Sequence, residues 1–529
     1  MKERKLTAML PPIIQSLLKS EGTPGESGQV NLVQTQMSWI LFAGNLVYKM
    51  KKPVDLGYVD YTTLEKRQYY CNREVELNRR LCPQSYLGVS TINLADGEYS
   101  IDGDGEVVDY AVKMKKLPQE KMLDYLLANN NPTADMLSQV AERVAAFHKK
   151  AETGPHIDPF GSIQAIRFNT EENFTQSIKY ADKVVSRDTL DRIKDYTNRF
   201  LNNNSALFES RVKEGHIRDC HGDLHSSHIC FTDELCIYDC IEFSDRFRYS
   251  DTAAEVAFLA MDIDHYGRAD LSQVFIQRYL EMTRDSQVET LLNFYKCYRA
   301  MVRAKVNCFK LDDPYVDSEE KQRSLLKAQQ YFDLAESYTL QKPWLLVNVG
   351  LVGSGKSTLA KELARHMGIV VISSDIVRKT LAGIPPVESA SQGMDTGVYS
   401  PDFSRLTYET MFNQAASWLK KGVSVILDAT FVLALSRKTA YEIAMKYNAG
   451  FAFLEYTISD EEACRRINHR KLEPGNVSDG TTQVYFKMKS EFEPLDKTEA
   501  QQRVIIDCAE TTAENLAKVR HFIFNRYRS

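Results

Sequence analysis

Gly350-Leu-Val-Gly-Ser-Gly-Lys356-Ser357 decides how the carboxy-terminal third of this chain is read. The stretch satisfies G-x-x-x-x-G-K-[ST] in the context that gives the pattern meaning. An apolar strand-like run, Leu345-Leu-Val-Asn-Val, precedes it and a helical pattern from Ser357 follows. Glycine at 350, 353 and 355 lets backbone amides turn toward phosphate oxygens that a β-carbon would obstruct. Lys356 is then expected to neutralise β- and γ-phosphates, the helix amino terminus to add partial positive charge, and the Ser357 hydroxyl to ligate magnesium. Gly350, Gly353, Ser354, Gly355, Lys356, Ser357 and Thr358 are the expected binding residues for ATP with Mg2+.

Outward from that loop, Ile369-Val-Val-Ile-Ser, Val423-Ser-Val-Ile-Leu and Phe451-Ala-Phe-Leu-Glu-Tyr read as buried strands separated by helical segments. Such alternation predicts a parallel sheet with helices on both faces. Two carboxylates stand at carboxyl ends of these strands: Asp428, expected near the magnesium, and Asp375, placed to take a proton from an acceptor hydroxyl. Helix capping is the plainer role for either aspartate. Arg378 follows Asp375 closely, and Arg466 and Arg470 lie four apart on one helical face, where guanidinium groups close over a triphosphate or simply face solvent.

Upstream, a charged helical pattern near 318–337 runs into Gln341-Lys-Pro343, where proline ends helical structure; the expected domains are 1–340 and 341–529. A chain of 529 residues exceeds one hydrophobic core, which agrees with two domains. At 43% hydrophobic and 26% charged residues it reads as an ordinary folded protein, and a net charge of -5 gives no general attraction to nucleic acid or anionic membrane. No apolar run reaches the roughly 18 residues of a membrane span. The 10 cysteines show no paired framework, so a reducing cytoplasm is expected.

The amino-terminal stretch to about residue 115 reads as strands and turns with one helix over 62–81. Gln36-Met-Ser-Trp-Ile-Leu-Phe-Ala and Leu46-Val-Tyr-Lys-Met are strands split by Gly44-Asn45, and Val107–Met114 is a further strong strand. From about 119 to 340 helical patterns dominate, except for a loop-like 216–252. That loop holds Cys220, His221, His225, His228 and Cys230, a crowding whose spacing matches no established zinc pattern.

A second string, His221-Gly-Asp-Leu-His-Ser-Ser-His228 with Ile237-Tyr-Asp239 beyond it, gives that crowding another meaning. It resembles the HGDLHxxN motif of aminoglycoside phosphotransferases and related small-molecule kinases. The resemblance implies a two-lobed protein-kinase-like fold in which Asp223 orients or deprotonates an acceptor and Asp239 holds magnesium. It also implies a phosphate-binding lysine, Lys49, ion-paired to Glu74, with Lys52 and Lys113 as rivals. One departure is chemical: the family's metal-binding asparagine is His228 here, and imidazole is a poor magnesium ligand. An active kinase and a nucleotide-binding pseudokinase both remain open for this domain.

The carboxy-terminal set GLVGSGKST, SSDIVRK, VILDATF, RRINHR and VSDG with FEPL is similar to small P-loop kinases grouped with polynucleotide kinase and gluconate kinase. The whole chain resembles bacterial two-domain proteins that join an aminoglycoside-phosphotransferase-like domain to a P-loop domain. The fold class expected is α/β and α+β, and the activity a cytoplasmic ATP-dependent phosphotransfer to an unidentified hydroxyl acceptor. A nucleic-acid end as acceptor, and an ATP-regulated binding protein, are the alternatives; no membrane partner is expected.

Overall fold

The computed structural model describes residues 10–19, 30–129, 132–314, 316–385, 397–470 and 481–526. They form two compact units that interleave along the chain, one of Met1–Glu172, Thr197–Asp262 and Leu271–Lys296, the other of Asn173–Tyr196, Ile263–Asp270 and Cys297–Ser529.

The first unit opens with helix Pro12–Lys19 and a 6-stranded sheet. Its strands are β1 (Asn31–Gln34), β2 (Ser38–Ala43), β3 (Leu46–Lys51), β4 (Tyr86–Ala95), β5 (Glu98–Ile101) and β6 (Glu106–Lys115), in the order β1-β2-β3-β6-β4-β5. Every neighbouring pair is antiparallel. Alternation sorts the side chains. Tyr48, Met50 and Ala111 pack with Ile14 and Leu17 on one face, while Val112 and Tyr86 pack on the other with Cys71 and Val75. The latter two lie on helix Leu64–Asn78, whose first turn is capped by Thr63 accepting from the Lys66 amide. Lys49 and Lys51, one step out of phase with Tyr48 and Met50, therefore share the face of that helix.

Beyond the sheet the unit is mainly helical, but 216–252 is more ordered than its sequence implied. It contains the pairs β7 (Ile217–Asp219) with β10 (Tyr249–Asp251) and β8 (Ile229–Phe231) with β9 (Leu235–Ile237), all antiparallel. Three-residue strands lack the periodicity a sequence pattern needs. Helix Pro12–Lys19, β1 and β4 are likewise additions to the expected elements. The cysteines also depart from expectation, since Cys82 and Cys236 form a disulfide across a sequence separation of 154.

In the second unit β11 (Trp344–Val349), β12 (Val370–Ser373), β13 (Val425–Asp428), β14 (Gly450–Thr457) and β15 (Arg503–Asp507) form a 5-stranded sheet in the order β12-β13-β11-β14-β15. All pairs are parallel. β11 is buried throughout. Leu345, Val347 and Val349 face one core with Met411, Ala440 and Ala444, and Trp344 and Leu346 face the other with Leu359, Leu363 and Val519. Helices thus cover both faces, as the β/α alternation required. The fold class is α+β in the first unit, an antiparallel sheet followed by helices, and α/β with a parallel sheet in the second. No described helix is long and apolar enough to cross a membrane.

Because Leu346 is 0% exposed in the central strand, Leu346→Ala should cost about 2–5 kcal/mol. Leu435→Ala, at a site 76% exposed, should stay within about 0.5 kcal/mol of wild type. Denaturant midpoints of the two variants, compared at equal slope, check the contrast.

Candidate functional site

Parallel strands put their carboxyl ends on one edge, and three adjacent ones carry the chemistry-bearing groups of the second unit. β11 ends at Val349 and passes directly into the glycine loop, whose Gly350 amide donates to Thr430 O at 3.0 Å. Gly353 and Gly355 adopt φ of +83° and +82°, the left-handed conformation that favours glycine. Space is equally restrictive, since a β-carbon on Gly350 would lie 2.9 Å from Tyr456 Cβ and one on Gly353 would lie 3.1 Å from the Ala463 carbonyl. Helix Lys356–Met367 begins at once. Lys356 Nζ arches back to donate to Leu351 O at 2.6 Å, while Ser357 and Thr358 are exposed on the first turn.

Asp428 closes β13 and pairs in register with Ser373, two residues before Asp375 in helix Ser374–Leu381. A buried relay holds its carboxylate: Tyr456 donates to Asn348 Oδ1 at 3.1 Å, and Asn348 Nδ2 donates to Asp428 Oδ1 at 2.9 Å. Asn348 is the one polar residue of a strand otherwise wholly apolar, a signal the sequence did offer. Tyr408, whose hydroxyl burial makes less acidic, lies within electrostatic reach of both Arg378 and Asp375. Arg378 itself is engaged, donating to Val398 O at 2.6 Å and Ser404 Oγ at 3.2 Å, with its guanidinium over the Tyr399 ring.

Helix Asp460–Arg470 lies over the loop, its Ala463 and Ile467 packed with Leu351 and Val352. Arg466 NH1 lies 3.7 Å from where a Gly355 β-carbon would be, and the same side chain is steadied by Glu462 at 2.6 Å and Cys508 O at 3.0 Å. The side chain of Arg470 and the segment VSDG fall outside the described residues.

The first unit gathers a second constellation. Lys49 Nζ lies 2.9 Å from Glu74 Oε1 and 2.6 Å from Asp239 Oδ1. Neither rival lysine reaches Glu74. Lys113 pairs in register with Tyr48 and so projects from the opposite face, and Lys52 Nζ donates to Thr35 O. Lys51, which sequence reasoning passed over, bridges Glu74 at 2.6 Å and also pairs with Glu242, itself the acceptor from Tyr61 at 2.8 Å. Its signal was the two-residue spacing from Lys49 on one strand face. Burial opposes charging all of these groups, but the opposite charges prevail: Lys49 and Lys51 are held well above the ordinary lysine range and Glu74 below that of a carboxylate. Asp239 has φ of +62°, and despite burial Lys49 and then His228 hold its carboxyl below the usual range.

Around Asp223 the loop is pinned from behind. Glu255 Oε1 accepts the amides of His221 at 2.8 Å and Gly222 at 2.7 Å, and Glu255 Oε2 meets His148 Nε2 at 2.8 Å. Asp262 accepts the Ser226 amide at 2.9 Å. His221 Nε2 pairs with Tyr238 O at 2.9 Å, and burial pushes its imidazole below the ordinary histidine range. His225 Nε2 stands 3.5 Å from Asp223 Oδ2, and His228 Nε2 stands 3.5 Å from Asp239 Oδ2. Burial, followed by His225, pushes His228 down to about 4. Asp223, His225 and His228 thus converge as a group, whereas Cys220 and Cys230, read in sequence as part of the same crowding, are buried outside it.

A family model described as "AAA domain" matches residues 345–495. The uncharacterized protein Rv2004c of Mycobacterium tuberculosis is 32% identical over 457 residues, covering 86% of this chain and 88% of that protein. Among solved structures, a gluconokinase from Sinorhizobium meliloti aligns with 35% of this chain and 94% of its own at 19% identity and a TM-score of 0.26. A choline/ethanolamine kinase family protein from Mesorhizobium loti aligns with 64% of this chain and 98% of its own at 12% identity and a TM-score of 0.35.

Glu255→Ala should free the His221 and Gly222 amides and leave them buried, at a cost of about 3–5 kcal/mol. Hydrogen exchange followed by mass spectrometry should show faster exchange across 219–226 in the variant, with β11–β15 peptides unchanged; unaltered loop protection would contradict the pinning role.

Proposed function

The chain belongs to the family of the mycobacterial protein Rv2004c, and from that premise we propose that its P-loop unit is an ATP-dependent phosphotransferase acting on a hydroxyl acceptor. The observation that carries the reading is the convergence of the 350–358 loop, Asp375 and Asp428 at the carboxyl ends of three neighbouring parallel strands. We assign this activity to a domain of residues 341–529 and a kinase-like domain to 1–340.

Lys356 and Arg466 spread positive charge over the terminal phosphates, and the amides of the loop, including Ser354, hold them in line. Ser357 and Asp428 supply the oxygen donors that suit a hard cation, so Mg2+ would be held there and would neutralise the β- and γ-phosphate oxygens. Asp375 accepts the proton of the acceptor hydroxyl while the new oxygen–phosphorus bond forms and the bond to the β-bridging oxygen breaks, releasing ADP. Arg378, fixed to Val398 O and Ser404, shapes the acceptor side.

For the amino-terminal domain, Lys49, Glu74, Asp223 and Asp239 support a second nucleotide site like that of aminoglycoside phosphotransferases. His228, in the place of an oxygen ligand, favours a binding role over phosphotransfer.

Incubation with γ-labelled ATP, magnesium and a panel of sugars, polyols and 5′-hydroxyl oligonucleotides tests the assignment. Asp375→Asn should lower labelling of the accepted substrate by about 10²–10⁴-fold while leaving ATP affinity within a few-fold. Lys356→Ala should remove ATP binding by the P-loop unit, and an equivalent still bound belongs to the amino-terminal site. Tight ATP binding with no acceptor labelled in any class would replace the enzyme reading with that of an ATP-regulated binding protein.

A further inference from the structure

Beside Asp223, three potential ligand atoms from Asp223, His225 and His228 lie within 4.8 Å of one another. The Asp223 Oδ2 to His225 Nε2 separation is 3.5 Å, and the His228 Nε2 to Asp239 Oδ2 separation is also 3.5 Å. A zinc ion bound tetrahedrally at about 2.0–2.2 Å spaces its ligands roughly 3.3–3.6 Å apart. Octahedral magnesium at about 2.1 Å would draw neighbouring donors to roughly 3.0 Å and would favour oxygen throughout.

The orientation of His228 adds an independent constraint. Its Nδ1 lies 2.9 Å from the carbonyl oxygen of Asp223, an atom that can only accept, so Nδ1 carries a hydrogen. Nε2 is then the ring nitrogen that faces Asp239 Oδ2. A carbonyl behind a ligating histidine is the usual outer-shell support. The other oxygen of Asp239 is engaged by Lys49 at 2.6 Å. The His225 and His228 rings are packed with centroids 3.9 Å apart, walled by Phe258 and Tyr238.

We infer that the amino-terminal unit carries a site for a divalent transition ion of the zinc class, held by His225, His228 and Asp223. The inference goes beyond the phosphotransferase reading of the P-loop unit and does not depend on it. Two imidazoles with one carboxylate form a borderline donor set, which selects zinc or cobalt over magnesium. The same substitution that makes the loop a poor magnesium site makes it a good site for such an ion.

Tag-free full-length protein, stripped with a chelator and titrated with ZnCl2, CoCl2 and MgCl2 in parallel, tests this. One equivalent of Zn2+ should bind, and Co2+ in its place should give visible absorption bands of a four- or five-coordinate histidine–carboxylate site. His225→Ala and His228→Asn should each weaken Zn2+ binding at least tenfold, and His228→Asn should shift preference toward Mg2+. Lys356→Ala should bind Zn2+ as wild type does, which separates this site from the P-loop. ATP binding by the P-loop unit of the two histidine variants reports that they are folded. Absence of stoichiometric Zn2+, undiminished binding in both folded histidine variants, or equal affinity for Mg2+ in the wild type would overturn the inference, leaving the histidines as packing groups of the loop.

Discussion

The strands of the β11–β15 sheet all run in one direction, and nearly everything about the P-loop unit follows from that constraint. Parallel pairing collects every strand's carboxyl end on one edge, and crossover helices must then cover both faces. With β13 between β12 and β11, the residues that leave these strands become neighbours despite their separation in sequence. The glycine loop, Asp375 and Asp428 meet there for this reason, and no local feature of any one segment would bring them together. The Tyr456–Asn348–Asp428 relay shows the same edge organised one layer deeper, since it links β14, β11 and β13 through buried hydrogen bonds.

The first unit rests on a different kind of constraint, the pairing of buried charges. Glu74 is wholly buried between Lys49 and Lys51, and Glu242 completes the cluster from a segment far along the chain. Burying any one of these ions alone would be prohibitive, so each is sustained by the others. The cluster fixes where helix Leu64–Asn78 sits against β3 and brings Lys49 to Asp239. Positioning in this unit is therefore electrostatic, whereas in the P-loop unit it is set by strand direction and glycine geometry. Glu255 extends the principle to the loop around Asp223, where one carboxylate anchors two amides and a histidine.

Legibility in the sequence followed the range of the interactions concerned. The P-loop could be read because its chemistry lies in eight consecutive residues flanked by a strand and a helix, and the helix over 318–337 and the strand from Trp344 were visible through composition and proline punctuation. Lys49 could be ranked only with rivals, because its partner is 25 residues on and the choice depends on which sheet face each lysine occupies. The short strands β7–β10 escaped notice because three residues carry no usable period. Arg378 illustrates another limit: its place beside Asp375 was apparent, but its engagement by Val398 and Ser404 arises from chain about 20–26 residues away.

By itself the sequence determined the local devices: the glycine loop and its following helix, the β/α alternation that forces a parallel sheet, and the HGDLH loop with histidine in the last ligand position. Those are settled by backbone sterics, hydrophobic periodicity and side-chain chemistry over a few turns of chain. Tertiary structure alone decided which carboxylate meets which lysine, that Cys82 joins Cys236, and that Asp223, His225 and His228 converge. Contacts of that kind depend on strand order and on the burial of charge, and both are properties of the folded ensemble of segments rather than of any segment taken singly.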